Sequence, residues 1–201
     1  METRDLFLAS DGAMRDVVSR LTPADLDHPV PADWSRTPVS TLRDILALHA
    51  SDEAWVPDVI AGKTIEEVGD RWTGDLLGDD PLGNYQALNL AAEEAALNEF
   101  LDVDVTIAHF SYGDYPLREG FLHLAVYRAF QAWMIARLVG MDYSLPSQVV
   151  DGMNEWVIPH LADWRAIGVF PPAQDVPEGA DAESTLLHTV GFWMPPAAPL
   201  A

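Results

Sequence analysis

Three side chains recur four residues apart in the second half of the sequence: His123, Tyr127 and Gln131. In a helix that spacing places them on one stripe. An imidazole titrates close to neutrality and moves protons, while a phenol and a carboxamide donate hydrogen bonds to a carbonyl or enolate oxygen. A second set, Leu48, Asp52 and Trp55, shares one face of another amphipathic stretch with Ile45, and Asp52 is its carboxylate. His109, Tyr112 and Tyr115 form a third set just before the His123 stretch, where loop residues gate or line a site. Trp133, like Trp55, is an aromatic suited to a site wall or to packing. No dinucleotide, P-loop, H-E-x-x-H or G-x-S-x-G pattern occurs, and the Asp/Gly segment 70–80 lacks EF-hand spacing. There is no cysteine, so disulfides, thiolate nucleophiles and zinc–cysteine sites are excluded together.

The elements that must position these residues are helical. Leu6, Ala9, Ala13, Val17 and Leu21 recur at spacings of three and four, predicting a first helix over about residues 4–21. A turn-rich connection follows from Asp27 to Pro38, and Ser40 or Thr41 caps a second helix over about 42–60 that Pro57 kinks or shortens. Residues 61–81 read as a long Gly- and Asp-rich connection, and Pro81 opens a third helix ending near Leu101. Val103 to Phe110 has the alternation of one short strand. The turn Tyr112–Pro116 starts a fourth helix, Leu117 to Val139, closed by Gly140. A fifth segment, 146–167, is interrupted at Pro159, and in the Pro/Ala/Asp/Glu-rich tail only Thr185 to Phe192 reads as structured. The expectation is an all-α, single-domain chain over 1–201: a four-helix bundle core over about 4–140 and a C-terminal helical extension over about 141–201.

Eleven basic residues against 32 acidic ones give a net charge of −21. Such a surface repels phosphate backbones and anionic membranes, so neither nucleic acid nor membrane is expected as a partner. The most apolar stretch, Phe121 to Val139, is broken by His123, Arg128, Gln131 and Arg137 and does not read as a membrane span. The N-terminus carries acids where a signal peptide needs basic residues, so the expectation is a cytoplasmic protein.

Six segments occur in order: Leu42-Arg43-Asp44-Ile45-Leu46-Ala47, Ala61 through Trp72, Gly74-Asp75-Leu76-Leu77-Gly78-Asp79-Asp80-Pro81, Tyr112 through Pro116, Trp133 through Gly140, and Phe170-Pro171-Pro172 with Val176-Pro177. Together they resemble the actinobacterial maleylpyruvate-isomerase-like proteins, the mycothiol-dependent branch of the DinB-like metalloenzymes. The resemblance runs over about 34–195 and implies a DinB-like four-helix bundle. In that family a divalent metal rests on a histidine, a carboxylate and a second histidine. Counting from Arg43 and Trp55 puts the first ligand position at Leu48, and counting from Trp133 puts the others at Tyr127 and Gln131. None of these is a competent ligand set. The resemblance therefore implies a divergent member that kept the fold and lost the metal. His49 adjoins Leu48, but one residue is a rotation of about 100°, which turns it off the expected core face.

On the family register the stripe His123–Tyr127–Gln131 faces the former metal cavity, with Asp52 and Leu48 on the facing helix. The expected chemistry is metal- and cofactor-free. His123 is the general acid/base, oriented by Asp52, and Tyr127 and Gln131 donate to substrate oxygen, with Leu48, Trp55, Trp133, His109, Tyr112 and Tyr115 lining the site. The substrate expected is a small or medium-sized hydrophobic metabolite, turned over by an isomerase or cyclase of specialised metabolism. The alternatives are a mycothiol-dependent, metal-binding isomerase or thiol transferase using a shifted site at His49, and a non-catalytic metabolite-binding or resistance protein. Oligomeric state stays open, a homodimer among the options.

Overall fold

Helix boundaries in this chain follow from its caps. In the computed structural model, which describes residues 1–31, 34–35 and 37–195, Thr41 caps α2 (Leu42–Ile60). Its hydroxyl accepts from the Asp44 amide, while Asp44 accepts from the amides of Thr41 and Ser40 at 2.9 and 2.8 Å. Those bonds from Ser40 and Thr41 hold the Asp44 carboxyl below the ordinary carboxylate range. Residues 32, 33 and 36 of the expected Asp27–Pro38 connection, and 196–201 of the expected tail, lie outside the described residues.

The chain divides into two compact units, and the divisions fall within α1 (Thr3–Ser19) and α5 (Leu117–Leu138). One unit comprises Arg15–Phe121. Here α2 packs on α4 (Pro81–Ala96), which Asp80 starts by accepting from the Gly83 amide at 3.2 Å. Pro57 does not end α2, which continues to Ile60. The expected bare connection 61–81 contains a one-turn helix, α3 (Ile65–Val68), because Thr64 and Glu67 cap one another. Helix α4 stops at Ala96 rather than near Leu101, since the Asn98 side chain takes the Phe100 amide at 3.0 Å and competes with continuation.

The helices are joined in this unit by one small sheet, where the sequence offered a single strand. Residues 107–116 form a two-stranded antiparallel hairpin, β1 (Ile107–Phe110) and β2 (Gly113–Pro116), lying against α2. The segment read as a helix-starting turn is thus mostly strand, and the turn itself is Ser111–Tyr112. Gly113 leaves it at φ +146°, a conformation that side chains rarely adopt.

The other unit comprises residues 1–14 and 122–201. It holds the remainder of α5, closed at Gly140 with φ +68°, then α6 (Ser147–Trp156), a 3₁₀ turn over Ile158–His160 at Pro159, α7 (Leu161–Ala166) and α8 (Ala182–Val190). Helix α6 packs on α8, and Gly152 of α6 admits Leu6 so closely that a Cβ there would sit 2.7 Å from a Leu6 methyl. The Met1 ammonium meets Glu155 at 3.0 Å, and the Trp156 indole donates to the Met1 carbonyl at 2.8 Å. The chain is therefore mostly helical. No helix among the described residues is long and apolar enough to cross a membrane.

Candidate functional site

Helix α5 is apolar on nearly all sides, the pattern of a helix enclosed by protein. From Gly120 to Ala136 every residue is buried except two, His123 and Tyr127, which are half-buried and one turn apart. Gln131, one turn further, is only 5% exposed, and its Nε2 has no hydrogen-bond acceptor among the described residues. Such a donor is costly to leave unmade, and native structures seldom tolerate one without a reason. The helical spacing thus holds for this stripe: imidazole, phenol and carboxamide follow one another at one-turn intervals on α5.

Around His123 the structure adds aromatic residues that sequence spacing did not single out. The Trp164 ring of α7 meets the imidazole edge-on, centroids 5.5 Å apart. Trp164 stacks on Phe170 at 5.8 Å, and Phe170 contacts both Phe130 and Phe192. Nothing in the local sequence pattern signals this cluster, because Phe130, Trp164, Phe170 and Phe192 are brought together from separate segments.

The charge beside the stripe is closed off. Arg128 and Asp11 are both fully buried and paired at 2.6 Å, with the guanidinium also over the Phe7 ring at 5.2 Å. Trp133 stands two residues beyond Gln131, about 200° around the helix, so it faces away from the stripe. It is buried beneath the Arg137 guanidinium, 5.1 Å from the ring centroid.

Leu48, Asp52 and Trp55 belong to α2 of the other unit, and all three are half-buried. The face that α2 buries is different from the one expected: His49 and Glu53 are completely buried, which corrects the rotation assigned to His49. Tyr85 and Asn89 of α4 are equally buried, with the Tyr85 hydroxyl donating to Glu53 at 3.1 Å and Arg15 donating to Asn89 at 2.7 Å. The paired i, i+4 spacings His49/Glu53 and Tyr85/Asn89 were visible in the sequence, but helix rotation alone decided that they face the core.

His109, Tyr112 and Tyr115 all sit on the hairpin. His109 pairs across the strands with Asp114, Nδ1 to carboxylate 2.7 Å. Tyr112 is exposed and stacks on Phe110 at 5.1 Å, with Tyr115 tilted against both.

Asp58, near the end of α2, is the best-satisfied buried carboxylate. Lys63 reaches it at 2.7 Å, Arg71 at 3.1 Å and the Trp72 indole at 2.8 Å. Burial pushes its pKa up, but the bonds from Lys63 and Trp72 and the two cations outweigh it, leaving the carboxyl below its ordinary value.

Among the described residues no group of three or more His, Asp or Glu is placed to hold a metal ion. The donor chemistry at the resembling family's ligand positions, Leu48, Tyr127 and Gln131, does not fit that family's metal either. No protein-family model, no curated protein and no solved structure matches this chain.

Proposed function

We propose that the chain is an enzyme that moves a proton on a hydrophobic, carbonyl-bearing metabolite without a metal, an isomerase or cyclase of specialised metabolism. The observation that carries this reading is the stripe on α5. In the enclosed part of this helix, Gly120 to Ala136, the two side chains that reach solvent are His123 and Tyr127, and the next residue in line, Gln131, holds a buried amide with nothing to donate to among the described residues.

The chemistry follows from the residue types. The His123 imidazole takes a proton from carbon next to the carbonyl, and the electron pair moves onto oxygen. Tyr127 donates to that oxygen as charge develops, and reprotonation at the same or a conjugated carbon completes an isomerisation. No oxidant or reductant enters. The aromatic cluster around Trp164 holds an apolar substrate and keeps water from competing.

The finer fold is part of the same proposal: a DinB-like four-helix bundle made by the long helices α1, α2, α4 and α5, in a divergent relative of the mycothiol-dependent isomerases. The order and lengths of those helices support it. The family's own metal-dependent thiol chemistry is the weaker reading, because its ligand positions carry leucine, tyrosine and glutamine.

Deuterium wash-in tests the reading. In D₂O the wild type should exchange the α-protons of 1-tetralone well above the buffer rate, Tyr127→Phe should be slower by about 10-fold, and His123→Ala by about 100-fold or more. Exchange unchanged in His123→Ala would remove the assignment, and binding without exchange in the wild type would leave a metabolite-binding protein.

A further inference from the structure

We infer that the ligand of the α5 stripe is an extended, uncharged, fused-ring ketone of about three rings whose oxygen-bearing far end accepts a hydrogen bond from Gln131; this rests on the site proposed above. Three observations set the class. The first is length: eight residues of helix separate His123 from Gln131, about 12 Å along the axis, so one molecule engaging both is longer than a single ring. The second is polarity. Gln131 Nε2 is a neutral donor, buried with its residue 95% covered and without an acceptor among the described residues, so what it needs is a neutral acceptor such as a ketone or quinone oxygen. An anionic head group is disfavoured, because Arg128, which follows Tyr127 in α5, is already held by Asp11. The third is shape. The His123 end of the stripe meets Trp164 and, through it, the Phe170–Phe130–Phe192 cluster, and flat rings bind such surfaces by offset and edge contacts.

A buried amide kept without a partner is a cost to folding that a ligand removes. Gln131→Leu therefore separates a binding role from a structural one. A structural glutamine lowers the melting temperature when replaced, whereas a ligand-waiting one raises it and loses affinity.

The test uses the full chain and a graded series of aryl ketones: acetophenone, 1-tetralone, a three-ring ketone with an acceptor oxygen at its far end (7-methoxy-1-oxo-1,2,3,4-tetrahydrophenanthrene), and a carboxylated form of that three-ring ketone. Binding is read by calorimetry and by quenching of tryptophan fluorescence. Affinity should rise by about 10-fold or more from one ring to three, and the carboxylated form should bind at least about 10-fold more weakly than its neutral parent. Gln131→Leu should melt higher than the wild type and bind the three-ring ketone about 5- to 10-fold more weakly, with acetophenone affinity unchanged. A flat series, preference for the carboxylate, or a Gln131→Leu variant that melts lower or binds equally well would overturn the inference. The outcome is independent of the exchange assay. Exchange that needs His123 alongside a flat series removes the substrate class and keeps the proton-transfer reading; a steep series without exchange does the reverse.

Discussion

Asp11 and Arg128 show how a single residue's meaning depends on what the fold brings to it. Arg128 sits one position after Tyr127, and its neighbour in space, Asp11, is 117 residues away in sequence. Nothing in local spacing names that partner, whereas the His123–Tyr127–Gln131 stripe is legible because helix geometry alone fixes it. With both groups fully buried, removing one strands the other: Asp11→Asn or Arg128→Met should each cost about 3–5 kcal/mol in chemical denaturation. The double variant Asp11→Leu/Arg128→Met should recover most of that, because two apolar side chains leave no unpaired charge. Asp58 yields a pH prediction. Its folded pKa lies below the ordinary carboxylate value, so its contribution is fully present above about pH 4 and is lost as pH falls through that range. Asp58→Asn should therefore be less stable than the wild type by about 2 kcal/mol at pH 7, with the gap closing below about pH 3 in urea titrations.

At the scale of elements, the sequence signals that worked were caps and prolines. The cap at Thr41 (one of the two residues the sequence offered), the start at Pro81, the break at Pro159 and the Gly140 close all stand where residue type placed them. The missed α3 and the early end of α4 are local, set by the Thr64–Glu67 caps and by Asn98, whereas the hairpin and the rotation of α2 share another cause, tertiary pairing that local pattern cannot express. The hairpin needs Ile107–Phe110 to find Gly113–Pro116 and the surface of α2, and its second strand, Gly-Asp-Tyr-Pro, has turn composition. Likewise α2 buries His49 and Glu53 rather than Leu48 and Asp52, because the residues of α4 facing it, Tyr85 among them, offer a partner. Close helix packing gives a test that needs no ligand. At Gly152 a side chain would run into Leu6, so Gly152→Val should lower stability by about 1–3 kcal/mol, measured by thermal melting. A neutral effect would mean that α6 and the start of α1 are not in contact.

For the whole molecule, most of the net charge of −21 is a solvated surface property: of the buried acids, Asp11 is neutralised by Arg128 and Asp58 by Lys63 and Arg71, while Glu53 accepts from the Tyr85 hydroxyl. Excess negative charge repels itself, and salt screens it. Raising sodium chloride from about 20 mM to about 500 mM, which shortens the Debye length from about 20 Å to about 4 Å, should raise the melting temperature by a few degrees. A fall would mean that the ion pairs outweigh the repulsion. An acidic surface repels phosphate backbones but does not name a substrate, so the functional proposal rests on the short stripe of α5 instead. Its central claim is proton transfer by His123 without a metal. The most direct measurement is the rate of deuterium wash-in into 1-tetralone before and after exhaustive dialysis against a chelator, in the wild type and in His123→Ala. The account predicts an unchanged wild-type rate after chelation and a rate near buffer in the variant. A wild-type rate abolished by the chelator and restored by a divalent ion, or a variant as fast as the wild type, would contradict it.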